Sequence, residues 1–251
     1  MENRRRTIMK KSLCLTLTGL LIFGYLAGPV FGQSAEEILE RVIKAQGGRK
    51  LLESIKDITT TTNMELPQMG ITGTGTMYTK EPNLMRLDME FMGMVMTQAF
   101  DGEKAWGINP QTGMAEETPE EVTEIIKNSS FGNSALLNPA KYGIKYTYKG
   151  KENIDGKDYL VLDRIHPGAY TISIYIDPDT YLMYKMKQDS LDEMMTEIVE
   201  ETVMSDYKEV EGVMTAHVLT ILRDGVEFAM LTVTDVEYNS GLEDSFFKKE
   251  E

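Results

Sequence analysis

The 251-residue sequence contains one cysteine, Cys14, one tryptophan, Trp106, and two histidines, His166 and His217. One thiol cannot close an intrachain disulfide, and Cys14 lies inside the apolar N-terminal segment. With no His-x-His or His-Glu pairing, a zinc or iron site has no ligand set, so no metal and no cofactor are expected. His166 precedes Pro167-Gly168 and reads as a turn residue. His217, between Ala216 and Val218, reads as a strand residue. A histidine-based catalytic centre therefore has no foundation here.

Positive charge is also scarce. Lys and Arg number 26 against 40 Asp and Glu, a net charge of −14. Five of those bases, Arg4, Arg5, Arg6, Lys10 and Lys11, crowd the N-terminus ahead of the chain's one long apolar run, Leu13 to Phe31. A basic start, an apolar stretch and the slim Val30-Phe31-Gly32 tripeptide make residues 1–32 a signal peptide, cleaved before Gln33. The competing reading is an uncleaved inner-membrane anchor, since a run of about this length just spans a bilayer. Gly24, Gly28 and Pro29 weaken its far end, which favours cleavage. Arg5-Arg6 resembles a twin-arginine signal, but no cofactor site downstream calls for export in the folded state. Met9-Lys10-Lys11 would itself make a normal start. Cys14 follows Leu13, where a lipid-anchor motif needs a small residue.

Removing those five bases and the one acid Glu2 leaves a domain of residues 33–251 with a net charge of −18. Such a surface repels phosphate backbones and anionic headgroups, so nucleic acid is excluded as a partner. A periplasmic protein without stable membrane insertion is expected, and its length suits one core.

Ser34 and Glu37 form a capping box ahead of Ile38, Leu39, Val42 and Ile43, which share one helical face; Gly47-Gly48 ends the helix. Arg49 to Ile55 reads as a second short helix. From Asp57 the pattern changes to strands: Thr59–Leu66, Ile71–Thr79, Leu84–Phe91, Met94–Phe100 and Lys104–Ile108. After a helix over Glu120–Lys127, capped by Thr118 with Pro119 first, and a loop from Phe131 to Pro139, strands resume. These are Ile144–Lys149, Tyr159–Asp163, Tyr170–Ile176, Tyr181–Gln188, Val213–Leu222 and Val226–Tyr238. Asp155-Gly156, Glu211-Gly212 and Asp224-Gly225 are hairpin turns, which argues for an antiparallel meander. Gly73 and Gly75 mark a bend or a close backbone approach. Residues 190–203 satisfy both helical spacing, with Ser190 and Glu193 as a cap, and β-branched composition; a turn followed by a strand from about Thr196 is preferred.

Patterns that mimic active sites dissolve on inspection. Ser245-Phe246-Phe247-Lys248 has serine–lysine acylase spacing, and Ser205-Asp206 echoes a second element, but no Lys-Thr-Gly follows. Asp177-Pro178-Asp179 lacks the glycine continuation of a calcium loop and reads as a β-turn. Asn128-Ser129-Ser130 is a glycosylation sequon that carries weight only in a eukaryotic secreted protein. Glu116, Glu117, Glu120, Glu121 and Glu124 form a solvated helix face. No catalytic residue is assigned.

Methionine is abundant. Eight of the 18 fall between Met64 and Met96. Two readings stand: an ordinary core, or a wall that repacks around varied apolar shapes because methionine is unbranched and polarizable. Met85, Leu87, Met89 and Phe91 alternate along one strand, as Met94 and Met96 do along the next.

The order AEEILERVIKAQGGRKLLESIK, YTKEPNLMRLDM, FDGEKAWGINPQTG, NIDGKDYLVLD, IYIDPDTYLMYK, SDYKEVEGVMTAH and VEYNSGLEDSFF resembles the LolA-like group, the periplasmic outer-membrane lipoprotein-sorting carriers. The resemblance runs from Ala35 to about Phe247. It implies a mainly β (α+β) fold: one curved, unclosed antiparallel half-barrel, with N-terminal and middle helices covering a hydrophobic cavity. It also implies acyl chains of lipoproteins or lipids as partners, with no covalent chemistry. The group includes stress-sensing regulators as well, so an envelope protein partner is the first alternative and a hydrolase using Ser245 the second. The residues expected to line the cavity are Met77, Met85, Leu87, Met89, Phe91, Met94, Met96, Trp106, Ile172 and Ile174.

Overall fold

The computed structural model describes residues 33–109, 112–166, 171–192 and 194–249, which pack as one unit. Residues 1–32, with Cys14 and the expected signal peptide, lie outside the described residues. So do Pro110, Gln111, the Pro167-Gly168 turn beside His166, and Glu193.

Two helices come first, α1 (Ala35–Ala45) and α2 (Arg49–Ser54). The capping box forms as the sequence requires: Glu37 N–H donates to Ser34 Oγ at 3.1 Å, and Ser34 N–H donates to Glu37 Oε2 at 3.2 Å. Strands β1 (Asp57–Leu66), β2 (Ile71–Lys80), β3 (Leu84–Phe91), β4 (Met94–Phe100), β5 (Ala105–Ile108) and β6 (Ala115–Glu117) make the first arm of the sheet. Helices α3 (Glu120–Ser130) and α4 (Asn133–Leu137) follow, then a 3-10 turn, Pro139–Tyr142. The second arm is β7 (Lys145–Ile154), β8 (Lys157–Ile165), β9 (Ile172–Ile176), β10 (Met183–Leu191), β11 (Glu197–Val210), β12 (Val213–Arg223) and β13 (Val226–Tyr238).

Among the described residues these form one thirteen-stranded sheet in the order β6-β5-β4-β3-β2-β1-β13-β12-β11-β10-β9-β8-β7. Each of these pairings is antiparallel, and the sheet is not closed, with β6 and β7 as its two edges. Sheets twist by nature, and bulges add bend. Register shifts fall at Thr61/Thr62, Tyr148/Gly150, Met183/Lys185 and Ile221/Leu222, so the long strands curve into a half-barrel.

The hairpins close as Asp155-Gly156, Glu211-Gly212 and Asp224-Gly225 predict. Both residues of each pair have positive φ, the arrangement that matches strand twist. Gly73 is a close-approach position: a Cβ there would stand 2.2 Å from the carbonyl oxygen of Glu90 and 2.5 Å from the Phe91 ring.

Several sequence expectations are corrected. The α3 helix starts after Pro119, which is itself the N-cap residue, and no side chain caps it. Thr118 instead donates its N–H to Ala105 O and extends the β5 edge. The expected loop from Phe131 to Pro139 contains α4. For residues 190–203 the preferred reading, a turn and then a strand from about Thr196, agrees with the structure: β10 and β12 flank β11 on both sides, and pairing along its length outweighs a helical spacing of apolar residues. Asp192 accepts the amides of Met194 and Thr196 and closes the β10–β11 turn.

Helices cover one face of the sheet. Ile38, Leu39, Val42 and Ile43 of α1 and Ala135, Leu136 and Leu137 of α4 pack with Leu160, Leu162, Ile172, Ile174 and Ile176 of the second arm. A smaller cluster joins Ile126 of α3 to Met85, Phe100 and Ala105 of the first arm. The outer face carries a C-terminal strap. Asp57, 4% exposed, accepts Ser240 Oγ and Gly241 N–H. Lys80 then pairs with Asp244 at 2.6 Å, Arg86 donates to Phe246 O, and Trp106 donates to Phe247 O.

Candidate functional site

Between the two clusters lies a cavity of about 530 Å³, within the range of small-molecule sites. Its walls follow from register, because directly opposed residues of an antiparallel sheet share a face. One row runs Met77, Leu87, Gln98 across β2, β3 and β4. Another runs Leu162, Ile174, Met186, Thr202 across β8 to β11. Leu39 and Val42 of α1, Ile125 and Ile126 of α3, and Ala135 and Leu136 of α4 form the cover.

Of the residues expected to line the cavity, Met77, Met85, Leu87, Ile172 and Ile174 do so. Met89, Phe91, Met94 and Met96 share their face but stand farther along β3 and β4, outside the lining. Phe91 lies over Gly73, Met89 pairs in register with Met96, and Met94 is 57% exposed. Trp106 is a correction. It pairs in register with Ala99, whose β3 partner is Arg86, and all three belong to the outer face. There its Nε1–H donates to Phe247 O at 2.8 Å, so the tryptophan anchors the strap instead of lining the cavity.

The polar wall was not assigned from sequence. Arg164 is 7% exposed, in line with Leu160 and Leu162 on β8, and its expected strand stopped one residue short of it. The sequence signal available for it is an arginine continuing the apolar alternation of Leu160 and Leu162. Its guanidinium donates through one terminal NH₂ to Asn128 O at 2.5 Å, and the Tyr146 hydroxyl lies beside it. Its Nε has no hydrogen-bond partner among the described residues. No ion pair to it is found among those residues either, and burial pulls its pKa below the ordinary arginine value, with Tyr146 opposing. Burial likewise pushes the Tyr146 phenol up. Gln188, Ser190 and Glu200 line the same end of the cavity, with Glu200 3.8 Å from Arg223. Ile58, Ile176 and Met183 line the opposite end. Met183 and Met186 both reach the cavity because the bulge between Met183 and Lys185 breaks the strand's alternation, which no sequence period reveals.

Such an arrangement can solvate a hydrocarbon chain along most of its length and accept a polar oxygen at Arg164. The carboxylate in its lining, Glu200, faces Arg223, and the Ser129 hydroxyl donates to backbone carbonyls. Ser245 is exposed on the strap, on the face away from the cavity, and His217 Nδ1 faces Thr215 O at 2.9 Å. Among the described residues no three His, Cys, Asp or Glu side chains gather to hold a metal. A second pocket of about 350 Å³ lies below α4, where Glu81 is already engaged by the amide and hydroxyl of Ser134.

No protein-family model matches the chain, and no curated protein matches it. Solved structures do share its fold. A DUF1329 family protein from Desulfovibrio piger is 14% identical with a TM-score of 0.57, over 86% of this chain and 98% of that one. A LolA superfamily protein from Nitrosomonas europaea is 14% identical with a TM-score of 0.56, over 87% and 99%. An outer membrane lipoprotein-sorting protein domain from Vibrio parahaemolyticus is 14% identical with a TM-score of 0.53, over 86% and 96%. At that identity the likeness establishes the fold alone: this chain has the half-barrel of the LolA-like proteins.

Proposed function

We propose that this protein is an extracytoplasmic carrier that holds acyl chains of lipids or lipoproteins in the half-barrel cavity and does no covalent chemistry. The observation that carries the reading is the cavity of about 530 Å³, lined mostly by apolar side chains and ending at a buried arginine without an ion-pair partner among the described residues. Each buried methylene contributes about 0.8 kcal/mol, so ten would supply about 8 kcal/mol. After the cost of association, that is enough to hold a chain reversibly in water. The partnerless Nε–H suits a carboxyl, ester or phosphate oxygen at the head of the chain, since an unpaired buried donor costs about 1–3 kcal/mol.

In this reading residues 1–32 direct export to the periplasm and are removed, leaving residues 33–251 as the carrier. Among the described residues no helix is long and apolar enough to cross a membrane. The alternative, an envelope sensor on the same scaffold, uses the cavity to detect lipid and then binds a protein.

Mass spectrometry of material extracted from natively purified protein tests the carrier. Stoichiometric acyl lipid is expected. An empty protein that also fails to bind an apolar fluorescent probe would end the reading. A stable protein partner on pull-down, with no extractable lipid, would favour the sensor.

A further inference from the structure

Exposed large apolar side chains are distributed on one rim only. Among the described residues they are Met69, Met92, Met94, Val95, Met114, Ile165, Met194, Met195 and Val226. Following the antiparallel order from β6 to β7, every one lies at the same end of the strands. The connections on that rim are β5–β6, β3–β4, β1–β2, β12–β13, β10–β11 and β8–β9, and each presents at least one of these residues. Connections on the opposite rim, such as Asp155-Gly156, Asp177-Pro178 and Glu211-Gly212, carry acids and no exposed large apolar side chain among the described residues.

Local structure does not ask for these methionines. Met92 (φ 53°) and Met195 (φ 62°) occupy left-handed turn positions, which favour Gly, Asn or Asp. At the matching place in other hairpins the chain uses Asp155 and Asp224. Met92 and Met194 are 81% and 82% exposed, so packing does not select them either.

We propose that this rim docks the protein reversibly on the surface of a neutral, zwitterionic bilayer. Hairpins two strands apart are separated by about 10 Å, so the rim is a row of spaced apolar tips. A protein partner buries a contiguous apolar centre, whereas lipid closes around each tip by itself. Methionine's flexible side chain suits a fluid acceptor. Asp192, Asp224 and Glu227 stand among the tips, and the chain's net charge is −14, which disfavours anionic lipid. Continuity with the cavity supports lipid as the occupant: Arg164 adjoins exposed Ile165, and Ser190 lies beside the Met194–Met195 turn. The purpose of docking rests on the carrier reading, but the docking itself does not.

Flotation with phosphatidylcholine vesicles tests it, using the protein as purified and the triple variant Met69→Ser, Met92→Ser, Met194→Ser. The wild type floats with the vesicles, less so when a third of the lipid is phosphatidylglycerol at low salt. The triple variant's partition falls at least tenfold, while its thermal melt and cavity-probe affinity stay unchanged. A wild type that stays unbound, or a variant that floats equally well, overturns the proposal. Methionine-dependent self-association without vesicle binding overturns it in favour of a protein interface. Protein that floats but yields no acyl cargo breaks the carrier reading alone; cargo without flotation breaks only the docking.

Discussion

Trp106 and Phe247, 141 residues apart, are joined by a 2.8 Å hydrogen bond from the indole N–H to the backbone carbonyl. Phe247 is fully buried, and the preceding Phe246 lies 4.8 Å from the Tyr78 ring and 4.5 Å from the Arg86 guanidinium. The strap thereby ties residues 240–247 across β1, β2, β3 and β5.

Phe247→Ala should cost about 3–5 kcal/mol, the range for deleting a buried phenylalanine. Because Trp106 is the sole tryptophan, its emission should shift to the red as the strap loosens. Ser245→Ala, two residues away and exposed, should change stability by no more than about 0.5 kcal/mol. Equal urea midpoints for Phe247→Ala and the wild type would show that the strap is dispensable.

Filling the cavity should weaken binding without unfolding the protein. Leu87→Trp places an indole in the lining, whereas Met89→Asp alters the same face two residues beyond it. Affinity for an apolar probe is expected to fall about tenfold or more in Leu87→Trp, equivalent to about 1.4 kcal/mol, and much less in Met89→Asp. Titrations that rank the two in the opposite order would move the binding surface up β3, towards the hairpin.

Arg164→Met removes a buried charge while keeping a long side chain. Replacing a buried ionic group by an apolar one of similar volume is often close to neutral for stability. The melt should therefore change little, while affinity for a fatty-acid probe drops about tenfold and affinity for an uncharged probe holds. Parallel loss of both probes would mean that Arg164 shapes the cavity wall and does not recognise a head group.

Alkali should destabilise the fold in a defined window. Tyr175, 4% exposed, has its pKa pushed up to about 12, first by burial and then by Glu152, which accepts from its hydroxyl. Burial alone raises Tyr207 further, and its hydroxyl donates to Met183 O at 2.6 Å. The unfolded chain loses these protons near pH 10 while the folded chain keeps them. Stability is thus fully present below about pH 10 and declines as pH rises through 12. Tyr175→Phe should flatten the fall in urea midpoint between pH 10 and 12; an unchanged slope would assign the loss to other groups.

The Ser34–Glu37 cap, the α1 apolar face, the Asp-Gly and Glu-Gly hairpins and the Gly73 close approach were all readable along the chain, because each depends on a few neighbouring residues. The alternation of Met85, Leu87, Met89 and Phe91 likewise defines one face of β3 by geometry alone. Which stretch of that face meets the cavity depends on where α1, α3 and α4 cross the sheet. Trp106 fell on the outer face because β5 pairs Trp106 with Ala99, a register set across strands. Met183 and Met186 meet the same space only through a bulge. Arg164 and Asn128, 36 residues apart, come together when α3 folds back over β8. Local order was therefore determined by the sequence, since backbone preference and side-chain period act over a few residues. The cavity, its arginine and the shared rim of the exposed methionines were decided by tertiary structure, because register and helix placement are settled only when distant segments compete for the same apolar surface.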